Sequence, residues 1–429
     1  MTVDTAMARA VRAAPALAAT APAERATMLY ACADALAAHG AEIVPVVQAE
    51  TGLTETRLRA ELDRTVQQLR LLGDRAATPW RRISTAAAPG GADVVTVPVP
   101  LGPVAVFAAS NFPLAFGVSG GDTASALAAG CPVVVKAHPA QPRTAELLAR
   151  VLGAALPDGV LSLVAGGPEV SVRRGRAPGI RAVGFTGSLT GGRALMDAAA
   201  ARPDPIPVYA EMGSLNPVIV LPGAVSDATV NALAAAVTGS AGQLCTKPGL
   251  VLTQTPAFAE ALAAAVAAVA VHPMLTPAMA QAHRDWRATA ARRHRVVAAD
   301  GDPAAFAVLT ETAELAGELV EEHFGPSVVI AVGPPGALPS ALEGSLTASV
   351  FAGEDDRDTA RALLPTLMAM AGRVVWNGVP TGVAVCDAMQ HGGPWPATSA
   401  SWSTSVGTEA IERFRRPVAL QGLPADLLP

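Results

Sequence analysis

"GGDTASALAAGCPVVVKAHP", residues 120–139, sets an Ala-rich run that reads as a helix directly before a valine run that reads as a strand. A helix feeding a short apolar strand is half of a βαβ unit, and repeated units of this kind build a parallel sheet. The same alternation extends in both directions. "GPVAVFAAS" (102–110) reads as a buried strand before the helix, and "RTAELLARVLGAA" (143–155), "GVLSLVAG" (159–166), "IRAVGFTGS" (180–188) and "LTGGRALMDAAAA" (189–201) follow as helix, strand, strand and helix. A second set opens at "NPVIVLPGA" (216–224). It continues through "VSDATVNALAAAVTGSAG", "GLVLTQ" and "FAEALAAAVAAVAVH", and later through "SVVIAVG", "ASVFAGEDD" and "DTARALLPTLMAMAGRVVWNG". The expectation is an α/β fold of two parallel-sheet domains, with a boundary near residues 212–220.

Outside these units lie a helical entry and a strand element. "ERATMLYACADALAAHGAEIVPVVQAETG" (24–52) and "RLRAELDRTVQQLRLLGDRA" (57–76) space apolar residues at three and four, as amphipathic helices do. "STAAAPGGADVVTVPVPLG" (84–102) is a Gly/Pro loop and a Val-rich run broken by Pro98 and Pro100, which predicts an edge strand. Residues 84–99, with the C-terminal 409–429, are expected to form an oligomerisation element. That leaves 1–83 with 100–215 as one domain and 216–408 as the other.

Composition bounds the partners. With 429 residues, 51% of them hydrophobic and 16% charged, the chain is globular and large enough for two cores. A net charge of −5 without blocks of like charge points away from nucleic acid and membrane surfaces and towards a small-molecule substrate. The N-terminal run is too interrupted by charge and proline for export or membrane spanning, which predicts a cytoplasmic protein. The four cysteines, Cys32, Cys131, Cys245 and Cys386, fit neither a disulfide framework nor a thiolate zinc site, and no metal is expected. Of 31 basic residues only Lys136 and Lys247 are lysines, which marks both as positions where a compact ammonium matters.

No G-x-G-x-x-G follows the first strand, so a dinucleotide would have to use other glycine turns. "AGGPEV" (165–170) and "GFTGSLTGG" (184–192) offer them at strand ends, where backbone amides and a helix N-terminus can hold a pyrophosphate.

Six stretches in order, "SNFPLAFGVSGGDTASALAAGCPVVVKAHP", "GFTGS", "EMGSLNPVIV", "GQLCTKPG", "EEHFGPSVVI" and "AMQHGGPWPATS", resemble the aldehyde dehydrogenase superfamily over essentially the whole chain. The forms "GGDTASALAAGCPVVVKAHP" and "HGGPWPATS" are most similar to its branch of 2,5-dioxovalerate (α-ketoglutaric semialdehyde) and NADP-dependent fatty aldehyde dehydrogenases. The resemblance implies a Rossmann-like cofactor domain, a catalytic domain, a homodimer or homotetramer, and NADP or NAD as cofactor. It also implies roles. Cys245 is the nucleophile that forms a hemithioacetal and then a thioester, while Asn111 and the Cys245 amide stabilise the oxyanion. Glu211 is the base for the hydrolytic water, with His391 as second candidate. Lys136 holds the adenine ribose, Gly187 and Ser188 approach the pyrophosphate, and Glu322 and Phe324 position the nicotinamide ribose and ring. Cys32, Cys131 and Cys386 are read as small buried residues.

Where many NAD-preferring relatives carry a glutamate three residues after the lysine, this chain has Pro139. The expectation is that no local carboxylate repels a 2′-phosphate, so NADP is accepted, with Arg143 as its partner. On "ELDRTVQQLRLLGD" (61–74), Arg64 or Arg70 is a candidate for a distal substrate carboxylate, against a reading of both as surface charge. The chain is shorter than most members between "VHPMLTPAMAQAHRDW" and "ELVEEHFGP", which bears on the substrate entrance. Three other readings stay open: a CoA-acylating dehydrogenase, which Glu211 argues against, a catalytically silent binding protein of the same fold, and a Cys/His esterase.

Overall fold

The structure is a computed structural model that describes the whole chain except residues 79–80, 168–176, 335–341 and 429. Pro168–Val170 of the "AGGPEV" turn therefore lie outside the described residues.

Four helices come first: α1 (Val3–Ala19), α2 (Pro22–Ala38), α3 (Gly40–Thr51) and α4 (Glu55–Ala77). The hydroxyls of Thr2 and Thr54 cap α1 and α4 by accepting the Thr5 and Arg57 amides. They lead into β3 (Val104–Phe107), α5 (Gly121–Ala129), β4 (Val133–Lys136), α6 (Pro142–Gly153), β5 (Leu161–Val164), β6 (Ala182–Thr186), α7 (Leu189–Ala200) and β7 (Val208–Glu211). These strands form a five-stranded parallel sheet in the order β5-β4-β3-β6-β7. The chain runs outward through β4 and β5 and then returns to β6 beside β3, so this sheet has a topological switch point at the carboxyl ends of β3, β4 and β6. All four residues of β3 and of β4 are buried, which is why both read as apolar runs rather than as alternation.

The second half holds β8 (Val218–Val220), α8 (Asp227–Thr238), β9 (Leu250–Thr253), α9 (Pro256–Ala267), α10 (Pro277–Ala290), β10 (Arg295–Ala298), β11 (Phe306–Glu311), β12 (Ser327–Val332), β13 (Ser345–Phe351), α11 (Arg357–Met370) and β14 (Ala371–Trp376). Its seven-stranded sheet is ordered β10-β11-β12-β9-β8-β13-β14, parallel except for β10 against β11. The sequence reading leaves β7, β10, β11 and α10 unassigned. The interval read as shortened nevertheless folds into α10 and two strands, with Trp286 and Phe306 in the core. Hydrophobic clusters cover both faces of each sheet.

A third sheet corrects one expectation. β2 (Val94–Pro100) lies between β1 (Arg82–Ser84) and β15 (Arg415–Gln421), so it is the central strand and not an edge. The prolines are tolerated because β1 pairs only with Val94–Thr96, and because Pro98 faces Pro417 across the ladder, where neither is asked for an N–H. Just before β15, Ile411 and Phe414 enter the core around the five-stranded sheet. Beside them Arg413 Nη1 donates to Asp122 Oδ1 of α5 at 2.7 Å, with both side chains buried.

Removing one partner of a buried ion pair strands the other, so Arg413→Met should cost about 3–5 kcal/mol in denaturant unfolding. Arg413→Met with Asp122→Asn should recover much of that loss. A single variant as stable as the parent would show that Asp122 finds another partner.

Candidate active site

β7 ends at Glu211 and the segment 212–217 leads straight into β8, so the carboxyl edge of the first sheet meets the amino edge of the second. Cys245 and Glu322 lie on the loops entering β9 and β12. Those strands are paired, Leu250 with Val251 beside Val329 and Ile330, which sets the two loops side by side. The first sheet contributes strand-end residues and the second contributes strand-entry loops.

The Glu211 carboxylate is buried, 4% exposed. One oxygen accepts from His391 Nε2 at 2.9 Å and the other from Ser405 Oγ at 2.7 Å. Cys245 Sγ lies 3.7 Å from the same His391 Nε2. Burial alone pushes the Glu211 carboxyl up, but His391 and Ser405 outweigh it and hold the group below its ordinary value. Burial, and next the charge of Glu211, push the Cys245 thiol well above its ordinary value. His391 Nδ1 is buried with no hydrogen-bond partner, and Nε2, the ring nitrogen facing the carboxylate, donates to Glu211.

The "HGGP" stretch reaches this point because the segment after it pairs with β7: Met212 N–H donates to Ala397 O at 2.8 Å and Ser399 N–H to Ala210 O at 3.0 Å. Its second glycine, Gly393 at φ +155, sits so close to β13 that a Cβ would meet Ser345 O at 2.3 Å. The Thr404 hydroxyl accepts the His391 amide at 2.9 Å.

The loop of Cys245 is equally constrained. Ser240, Ala241 and Gly242 are left-handed, and a Cβ on Gly242 would meet Gly325 O at 2.1 Å. Asn216 Nδ2 donates to Cys245 O at 2.8 Å and Lys247 O at 3.0 Å, while its Oδ1 accepts from Thr347 and Ser214. Lys247 is buried and donates to His323 O at 3.1 Å and Ser327 O at 2.7 Å, tying this loop to the one carrying Glu322 and Phe324. Burial lowers Lys247 to about 8 and raises Glu322 to about 7. Asn111 Nδ2 donates to Gln243 O at 3.1 Å, leaving the amide's second hydrogen for another acceptor.

On the other side of the crevice, Lys136 ends β4 and Gly187 with Ser188 follow β6, so they flank the switch point. Gly187 N–H donates to Glu211 O at 3.0 Å and is engaged within the fold. The amides left for an anion are those of the first turn of α7, which Ser188 caps by accepting Gly191 N–H. The Lys136 ammonium and the N-terminus of α7 on this edge, with the Glu322 carboxyl on the facing loop, are groups that suit a nicotinamide dinucleotide. Pro139 is exposed here, and the position itself carries no carboxylate. Glu50, at the end of α3, accepts Arg143 N–H at 2.9 Å and Thr144 N–H at 2.8 Å, capping α6 just beyond Pro139.

The two arginine candidates separate. Arg70 is exposed and paired with Asp34 at 2.6 Å, so it is surface charge and no substrate ligand. Arg64, six residues earlier on the same helix, lies 5.5 Å from the Phe116 ring centroid, its Nε buried with no partner. It lines a cavity of about 320 Å³ with Gln67, Leu71 and Val383–Val385. Cys32 and Cys131 are buried, as read, and burial raises their thiols to about 12 and about 11. Cys386 is exposed, contrary to expectation, because its apolar neighbours form the irregular wall of that cavity. Ser405, Asn216 and Glu50 were missed, although the asparagine preceding Pro217 in "SLNP" is a signal for an unusual backbone, and it has φ +54.

The profile of the aldehyde dehydrogenase family matches residues 1–332. The chain is 45% identical to α-ketoglutaric semialdehyde dehydrogenase 2 of Azospirillum brasilense, over 95% of this chain and 84% of that protein. It is 41% identical to α-ketoglutaric semialdehyde dehydrogenase of Acinetobacter baylyi, over 91% of this chain and 80% of that protein. Among solved structures, lactaldehyde dehydrogenase of Escherichia coli shares the fold with a TM-score of 0.85 at 23% identity, covering 97% of this chain and 90% of that one.

Proposed function

The chain belongs to the aldehyde dehydrogenase family, and from that premise we propose that Cys245, Asn111, Glu211 and His391 perform the NAD(P)-dependent oxidation of α-ketoglutaric semialdehyde to the dicarboxylate. NAD(P)-dependent oxidation of an aldehyde is the activity of the family and of this chain. The observation that carries the assignment of residues is the contact chain from Cys245 Sγ through His391 Nε2 to Glu211.

The thiol is held high, so it attacks as its proton leaves towards the Glu211–His391 pair, and the new C–S bond makes a hemithioacetal. Its oxyanion is held by Asn111 Nδ2 and the Cys245 amide. A bound nicotinamide dinucleotide supplies the hydride acceptor. The thioester that remains on Cys245 is hydrolysed by water. Glu211 is the base, since its carboxylate is held ionised, and His391 fixes one carboxylate oxygen while Ser405 fixes the other. A carboxylate beside the thioester favours hydrolysis over transfer to a thiol cosubstrate.

The dinucleotide is assigned to Lys136, the α7 N-terminus at Ser188, and Glu322 with Phe324. Residues 1–83 with 100–215 are taken as its domain and 216–408 as the catalytic one. The distal carboxylate is assigned to Arg64, whose side chain lines the cavity with Gln67, Leu71 and Val383–Val385. The three-stranded sheet of 84–99 and 409–429 is taken as the contact of a homodimer or homotetramer, β1 being exposed along its whole length. Among the described residues no helix is long and apolar enough to cross a membrane. Four free cysteines suit the reducing cytoplasm.

Cys245→Ala should lower oxidation by about 10⁴-fold or more, while Cys131→Ala costs only packing. Glu211→Gln should still form thioester but release it slowly, giving a burst of about one equivalent of reduced cofactor per site in rapid mixing. No burst would place the slow step before hydride transfer.

Arg64→Met should raise KM for ketoglutaric semialdehyde by about 10- to 150-fold, the loss of one charged hydrogen bond, and leave an unsubstituted aliphatic aldehyde unaffected. Equal effects on both substrates would assign Arg64 to the scaffold.

Glu50→Gln removes a carboxylate that caps the first turn of α6, shortly after Pro139, so kcat/KM should shift towards NADP over NAD by about 1–3 kcal/mol. An unchanged ratio would mean that the 2′-position is read elsewhere.

A further inference from the structure

We propose that Glu211, Cys245 and His391 form a reversible binding site for a borderline-soft divalent cation, Zn²⁺, that blocks the thiol. Sequence spacing gives no hint of it, because the three residues come from the end of β7, the loop before β9 and the loop after β14. In the fold their ligand atoms all lie within 4.8 Å of one another, and among the described residues no other three His, Cys, Asp or Glu side chains gather so closely. Sulfur, imidazole nitrogen and carboxylate oxygen are the three donor types that zinc selects.

The spacing suits the ion. With Zn–S about 2.3 Å and Zn–N and Zn–O about 2.0–2.2 Å, tetrahedral ligand atoms stand roughly 3.3–3.6 Å apart. Sγ and Nε2 are 3.7 Å apart, while Nε2 and Glu211 Oε1, now hydrogen-bonded at 2.9 Å, need only separate by a few tenths of an ångström. The outer partners are in place: Ser405 Oγ holds Glu211 Oε2 at 2.7 Å and Thr404 Oγ1 holds the His391 backbone at 2.9 Å. Three protein ligands leave the fourth position to water.

Binding expels the thiol proton to solvent and forms Zn–S, Zn–N and Zn–O bonds, while the imidazole proton moves from Nε2 to Nδ1. No oxidant or reductant is needed. Nδ1 has no acceptor, which keeps the site weaker than a structural zinc centre and the ion removable. A bound ion takes the Cys245 sulfur lone pair needed for attack on the aldehyde. This consequence rests on the nucleophile reading above, whereas binding itself rests on geometry alone.

The full-length protein, stripped with chelator, is titrated with Zn²⁺ against a metallochromic indicator and separately with Co²⁺ under visible and near-ultraviolet absorption. The expected results are one ion per chain, a thiolate-to-cobalt charge-transfer band, and loss of activity that excess chelator restores. Ser405→Ala should weaken Zn²⁺ binding by about 10- to 100-fold, and Cys245→Ser should remove the charge-transfer band in a protein whose melting curve shows it folded. Wild type and Cys245→Ser binding Zn²⁺ alike, or neither binding it, overturns the proposal. An ion bound with the band present while oxidation continues upholds the site and removes Cys245 from the chemistry.

Discussion

The carboxylate of Glu211 is buried at the junction of the two sheets, and a charge taken out of water there is tolerated only with donors on both oxygens. The donors, His391 Nε2 and Ser405 Oγ, arrive from far along the chain. Bringing them in requires the 397–399 segment to pair with β7, and that pairing requires the preceding glycines to pass almost backbone against backbone over β13 and β14. One buried charge thus fixes the path of a long irregular stretch. It also fixes the thiol, which lies against the same imidazole and under the same negative field.

Much of the fold could be read because buried parallel strands are valine runs and the helices between them are alanine- and leucine-rich. β3, β4, β8 and β12 carry that signal. β7 does not: "VYAE" is a short edge strand whose last residue is the acid of the site. β10 and β11 lie behind an arginine-rich stretch, and the Asp-Gly-Asp-Pro turn (300–303) between "RVVA" and "FAVLTE", which joins them as an antiparallel hairpin, was a signal the reading left unused. β2 was misjudged for a different reason. A proline excludes a strand from the middle of a sheet only where a neighbour needs its N–H, and the neighbour β1 stops before Pro98.

The candidate site residues could be picked out because they stand in short motifs at strand ends that resemble those of the family, and a motif is visible in one dimension. Partners that act at a distance in the sequence could not. Ser405 follows a run of serine and threonine with no pattern of its own, and Glu50 is an ordinary helix-end acid until α6 is placed against it. Arg64 and Arg70 differ by little more than one turn and a half of the same helix, yet one faces the crevice and the other Asp34. Charge on an amphipathic helix does not declare its side unless the packed face is known.

The chain's use of lysine now has a physical account at one of its two positions. Lys247 is buried where two backbone carbonyls, His323 O and Ser327 O, converge on a single nitrogen. A tetrahedral ammonium can donate to both along diverging directions, whereas a planar guanidinium would present a fork too wide for the space and leave donors unpaired. The bond pair joins the loop of Cys245 to the loop of Glu322, whose carboxyl balances part of the ammonium's charge. The two loops belong to neighbouring strands, but register alone leaves loops free to splay. Lys247 removes that freedom, holding the thiol at a set distance from the carboxyl across the crevice, and this is the kind of rigid support that a covalent reaction in a narrow site demands.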